Sequence, residues 1–127
     1  MKETVLLYNF TGGDRGLKLK QALLPLGFKL KAVEKKDFNK PVGLLAGVNG
    51  MEEYEDTEYD GPGFEEEMAV LANLSSGRVD AFIKALRKTG VGKINYKAVL
   101  TDTNKNWDSV KLFEEIKKEH EEMNRVQ

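Results

Sequence analysis

The chain contains no cysteine and a single histidine, His120. Without cysteine there can be no disulfide, no thiolate metal site and no cysteine nucleophile, and a reducing, cytoplasmic setting is the expectation. One imidazole with no thiolate does not make an ordinary zinc site. A Ser–His hydrolase would need a G-x-S-x-G elbow, which the sequence lacks. No cofactor fingerprint is present, so no cofactor is expected. Nor does any apolar run reach the roughly 20 residues that cross a bilayer. The opening Met1-Lys2-Glu3-Thr4 leads straight into a strand-like run, without a signal-peptide pattern. No membrane partner is therefore expected.

Basic residues are missing from one stretch only. Nine acidic residues and no Lys or Arg lie between Glu52 and Glu67, although the whole chain has 20 basic and 21 acidic residues and a net charge of −1. The chain thus divides into an acidic segment of about −9 and a remainder of about +8. One consequence to expect is a loose charge tether, with the acidic segment sampling lysine-bearing surface.

At 127 residues the chain predicts a single domain, 1–127, large enough to bury a core. Its central unit is Met68 to Leu100. Met68 to Ala72 is a short apolar run, read as a buried strand. Ser75 or Ser76 can cap a helix start. Val79, Phe82, Ile83 and Leu86 fall at i, i+3, i+4 and i+7, one apolar helical stripe. Arg87 and Lys88 suit the helix end, and Gly90 closes it. Ile94, Tyr96, Ala98 and Leu100 then alternate with Lys93, Asn95, Lys97 and Val99, which is strand periodicity.

The same order occurs earlier. Val5 to Phe10 reads as a strand, with a turn whose Thr11 and Asp14 have capping-box form. Leu19, Ala22, Leu23 and Leu26 make a helical stripe, distorted near Pro25. Phe28, Leu30 and Ala32 alternate with Lys29, Lys31 and Val33. Asn9 corresponds to Asn73, and Gly27 to Gly90. Two strand–helix–strand units, 1–33 and 68–100, predict an α+β fold: a ferredoxin-like split βαβ with a four-stranded, mostly antiparallel sheet. Residues 34–67 between them supply a short helix, capped by Asn39 and ended by Gly47, and the acidic loop, expected to be long and exposed. Residues 101–127 supply a polar connector and a C-terminal helix capped by Asn106, with Leu112, Phe113, Ile116, His120 and Met123 on one face.

The segments VLLYNF, PLGF, PVGLLAG, VDAFIKALRKTGV, YKAVLTDTNKNW and EEIKKEHEEM together resemble a family of small bacterial proteins built on a domain of unknown function. The resemblance covers nearly the whole chain apart from the acidic loop, and YKAVLTDTNKNW is its most distinctive piece. It implies one small bacterial domain and brings no activity, cofactor or functional residue with it.

Candidate sites follow from the residues. Asp56, Glu58 and Asp60, with Gly61 and Glu67, approach the spacing of a calcium-binding loop. Glu at the third position, Gly63 at the eighth and a strand-like exit depart from it, so no metal site is expected. Thr11, Gly12, Gly13, Asp14, Arg15 and Gly16 join a strand to a helix and could approach a phosphate, but Asp14 would repel one and a structural turn is preferred. His120 sits at the edge of an apolar stripe and reads as a packing residue. Thr101, Thr103, Asn104, Asn106 and Trp107 form a polar stretch after a strand, a ligand site if they do not simply cap and hinge the last helix. Lys29, Lys31, Lys93 and Lys97 would share the outward side of the two edge strands, where they could bind a polyanion.

The first reading of function is a non-enzymatic binding or regulatory module with a protein or small-ligand partner, compatible with a homo-oligomer. The second is a nucleic-acid-binding domain using a lysine-flanked sheet face, ranked low because no aromatic recognition motif is present. The third is a small enzyme with a polar site near Thr101 to Trp107. Whether the last helix covers the sheet separates the first two.

Overall fold

A computed structural model describes residues 2–10, 13–51 and 57–125. The strands are β1 (Thr4–Tyr8), β2 (Lys29–Val33), β3 (Met68–Ala72) and β4 (Tyr96–Val99). The helices are α1 (Gly13–Leu23), α2 (Val42–Ala46), α3 (Ser76–Lys88) and α4 (Ser109–Arg125). The strand–helix–strand order of each repeat forms as its pattern predicts, although the last strand spans only Tyr96–Val99 and leaves Ile94 outside it. The Ser75 side chain accepts from the Arg78 N–H and caps α3. α1 gives way to a 3-10 turn over Leu24–Leu26, with Pro25 inside it and Gly27 left-handed behind it.

The strands lie in the order β2-β1-β3-β4. β1 pairs with β2 in parallel, β3 with β4 in parallel, and only the central β1–β3 pair is antiparallel. The sheet is therefore mixed and mostly parallel, and the expected split, mostly antiparallel arrangement is not what forms. Each crossover returns beside its own first strand instead of leaving a gap for the other repeat. Side-chain alternation dictates which face a residue takes but not which strand lies next to it. That choice belongs to packing between the repeats.

The two βαβ units are related by an approximate two-fold through the pair Leu6–Val70. The relation extends to polar detail. Asn9 and Asn73, just past β1 and β3, both adopt positive φ, 66° and 65°. Arg15 on α1 holds both oxygens of Glu67, at 2.7 and 2.9 Å, and donates to the Val91 and Lys93 carbonyls of the other repeat. Arg78 on α3 likewise holds Glu3 and donates to the Leu26 carbonyl, with its guanidinium 4.6 Å from the centre of the Phe28 ring. Each repeat thus clamps the start of the other repeat's first strand.

Both faces of the sheet are covered. α1 and α3 pack over Val5, Leu7, Ala69 and Leu71, with Phe82, Leu86 and Ile94 buried there. α2, α4 and Phe38 pack over Leu6, Tyr8, Met68 and Val70. Burial on two sides explains why β1 and β3 read as continuous apolar runs. Of the alternating residues before and in β4, Ile94 turns into the first core while Tyr96 and Ala98 face the second.

The acidic segment is not simply an exposed loop. Glu52, Glu53, Tyr54, Glu55 and Asp56 lie outside the described residues, but beyond them the chain is anchored. The Tyr59 N–H donates to the Lys36 carbonyl, and Asn9 Nδ2 donates to the carbonyls of Phe64 and Glu66. Phe64 stacks between Phe38 and Phe113, with centroids 4.8 and 4.1 Å away. This half of the segment is therefore pinned to the α2/α4 side, where Glu66 also meets Lys117 at 3.6 Å.

Candidate functional site

β4 is an edge strand, and the chain around it builds two grooves. The Leu100 N–H donates to the Leu71 carbonyl at 2.9 Å, so the main-chain groups of Tyr96, Ala98 and Leu100 turn toward β3. By the alternation of a parallel ladder, those of Lys97 and Val99 turn away from β3; Asn104 takes the Val99 carbonyl, and the Lys97 groups and the Val99 N–H face the open side. Val99 is 45% exposed, an uncommon amount for a β-branched strand residue.

On the α4 side of this edge runs a groove of about 290 Å³, lined by Thr101, Thr103, Trp107, Ile116, Glu115 and Glu119, among others. The polar stretch found by sequence is thus brought to one place, but its members divide in role. Asn104 is buried and spends its amide on the chain itself: Oδ1 accepts from the Thr101 N–H at 2.8 Å, and Nδ2 donates to the Val99 carbonyl at 3.0 Å. The Thr101 hydroxyl accepts from the Asn104 N–H. Asn104 therefore shapes the connector. Asn106 is exposed in the 3-10 turn and does not cap α4; Asp108 does, accepting from the Lys111 N–H at 2.8 Å. Asp108 immediately precedes α4 and its carboxylate reaches the first turn, whereas Asn106 is inside a turn of its own. Asn39 likewise does not cap α2: Pro41 stands at the N-cap position, and the Asn39 Nδ2 donates to the Thr57 carbonyl. Trp107 is half-buried, with the Lys111 ammonium 5.1 Å from its ring centre.

The connector is held against α2. The Val42 N–H donates to the Trp107 carbonyl, and the Ser109 N–H to the Phe38 carbonyl. Gly43 fits only because it has no side chain, since a Cβ there would lie 2.9 Å from Lys105 Cβ. At the start of α4, the hydroxyls of Tyr8 and Ser109 meet at 2.8 Å with both residues fully buried. Burial pushes the Tyr8 phenol far above its ordinary range, so it stays protonated. This pair is a structural tie that the sequence did not flag, its partners being over a hundred residues apart.

The four strand lysines do not share one surface. Lys29 and Lys31 stand opposite Thr4 and Leu6, on the α2/α4 side of β2, and the Lys31 ammonium donates to the Leu45 carbonyl. Lys97 stands opposite Ala69, on the α1/α3 side of β4, and Lys93 precedes the strand. The register makes Lys97 the counterpart of Ala32 and not of a β2 lysine, which places the lysines on opposite faces, and helices cover the sheet between them. Lys97 is half-buried and donates to the Ile94 carbonyl; burial first, and repulsion from Lys93 second, lower its pKa.

Among the calcium-spacing residues, Asp56 lies outside the described residues and Glu67 gives both oxygens to Arg15. Closing a cation site would have to break that clamp. Calorimetric titration with calcium is expected to show nothing tighter than roughly millimolar, the weak end for such loops. A micromolar site abolished by Glu67→Gln would reverse the assignment. Thr11 and Gly12 of the glycine turn also lie outside the described residues. His120 packs edge-on to Tyr96, with centroids 5.3 Å apart.

Sequence reasoning missed Arg87, Glu115 and Glu119 as groove residues. Glu115 and Glu119 flank Ile116 one helical turn apart, a spacing that marks them as neighbours. Only the position of α4 tells that they face β4.

Residues 67–123 match the model of a domain of unknown function, DUF3783. The matched segment takes in β3, α3, β4, the connector and most of α4, hence all of the groove on the α4 side. β1 and α1 lie outside it, although the fold sets them beside it. No curated protein and no solved structure matches the chain. Among the described residues no helix is long and apolar enough to cross a membrane.

Proposed function

We propose that the protein is a non-enzymatic binding module that takes an extended segment of a partner protein along the open edge of β4. The observation that carries this reading is the outward-turned main chain of Lys97, together with the outward Val99 N–H, at an edge strand flanked by grooves; the Val99 carbonyl is already taken by Asn104. Strand addition draws affinity from such main-chain groups and specificity from pockets for alternate side chains. On one face the segment would meet Trp107, Ile116, Glu115 and Glu119; on the other it would meet Lys97. The acidic pair suits a basic or apolar residue of the partner. The polar connector supports binding better than catalysis, because Asn104 and Thr101 are engaged with each other. A bacterial cytoplasm, suggested by the family resemblance and the absence of cysteine, is the setting that goes with this proposal.

Selection from a random-peptide phage library, followed by titration of a selected peptide into isotope-labelled protein, tests it. The amide signals of Lys97 and Val99 are expected to shift most. Val99→Pro is expected to weaken binding roughly tenfold or more with little change in melting temperature, because this N–H is not used in the sheet. A charge reversal at Glu115 and Glu119 changes the groove without touching the core and should alter which peptides are selected. Peptides whose shifts map to α1 and α3 instead, or a failure to select any, would remove the reading.

A further inference from the structure

A second cavity, of about 330 Å³, opens on the other face of β4, between α3 and the segment leading into the strand. Ile83, Leu86 and Ile94 line it with apolar surface, while Arg87, Lys93 and Lys97 bring positive charge. No acidic residue lines it. Among the described residues none of these three cations forms an ion pair.

Three uncompensated cations around an apolar hollow repel one another, and the interaction grows as water is excluded. Lys97 is already partly withdrawn from water. An anion placed between them would relieve the repulsion and form charge-assisted hydrogen bonds. An inorganic anion would leave the apolar floor unused, and a neutral apolar molecule would leave the charges uncompensated. The cavity volume falls within the usual range for small-molecule sites, roughly 300–1,000 Å³.

We propose that this cavity binds a small organic anion, an apolar body ending in a carboxylate or phosphate. The body lies on Ile83, Leu86 and Ile94, and the head group meets Arg87, Lys93 and Lys97. Gly92 also lines the cavity and has no side chain to narrow it. This site does not depend on strand addition at β4 and can be tested without any peptide.

The fluorescent apolar anion anilinonaphthalene sulfonate is the probe, titrated into the intact protein. Decanoate and decyl phosphate, kept below their micelle concentrations, are expected to displace it, and their relative potency tells carboxylate from phosphate. Decanol, decyltrimethylammonium and inorganic phosphate are expected to displace it poorly. Arg87→Gln combined with Lys93→Gln alters two exposed side chains, so folding should be unaffected, and decanoate affinity should fall roughly tenfold or more. Displacement by decanol as good as that by decanoate would mean an unspecific apolar surface. Equal displacement by inorganic phosphate would mean a purely ionic site. Unchanged affinity in the double variant, or no probe binding at all, would also overturn the proposal.

Discussion

Phe82→Ala is expected to lower folding stability by ~3–5 kcal/mol, the range for removing a large buried aromatic. Phe82 is fully buried on the sheet-facing side of α3, within the first core, with the Phe28 ring 6.4 Å away. Its loss leaves a cavity between α3 and the sheet that the clamped repeats cannot easily close. Domains of this size are stable by only ~5–15 kcal/mol, so the variant should unfold at much lower denaturant. Leu24→Ala is the control: Leu24 is 77% exposed, and its loss should change stability by no more than ~0.5 kcal/mol. Urea titrations of both variants beside the parent decide the matter. Equal midpoints for Phe82→Ala and the parent would mean that α3 presents a different face to the sheet.

The second large effect is expected at Phe64, within the acidic segment. Its ring lies nearly parallel to those of Phe38 and Phe113, at 14° and 3°, and 5.7 Å from Tyr8. Phe64→Ala should cost ~2–4 kcal/mol: less than a fully buried aromatic because Phe64 is half-buried, and more than a surface residue because the stacked contacts go with it. The chain from Thr57 to Phe64 should also loosen, since its other ties are the Tyr59 ring beside Phe38 and a few hydrogen bonds, while Glu66 and Glu67 stay held by Lys117 and Arg15. Faster proteolysis there and loss of amide protection at Tyr59 would report the release. Stability within ~0.5 kcal/mol of the parent would show that the acidic segment is only a solvated insert.

Much of this architecture was legible in local pattern. The stripes on α1 and α3, the Ser75 cap, the 3-10 turn around Pro25 and the β3 boundaries follow from periodicity and from residues with strong conformational preferences. Those are short-range effects, settled within a few residues of chain. The correspondence of Asn9 with Asn73 was legible too, because both must take the same left-handed turn after a central strand.

What local pattern did not settle lies between elements. Alternation reports that a strand has two faces, and it is equally satisfied by a split or an adjacent crossover. The parallel order followed only from how the repeats pack and clamp each other through Arg15 and Arg78. The acidic segment shows the same limit: nine like charges predict solvation, yet one phenylalanine among them finds three aromatic partners, Tyr8, Phe38 and Phe113, from distant parts of the chain. At the candidate site, the sequence supplied the polar connector, but Asn104 turned inward to shape it. The open edge of β4 and the residues beside it depended on where α3 and α4 came to rest. The sequence by itself determined the elements and their buried faces, which are matters of side-chain period. Strand neighbours, the pinning of the acidic segment and the grooves along β4 were decided by tertiary structure, because they rest on contacts between residues far apart in the chain.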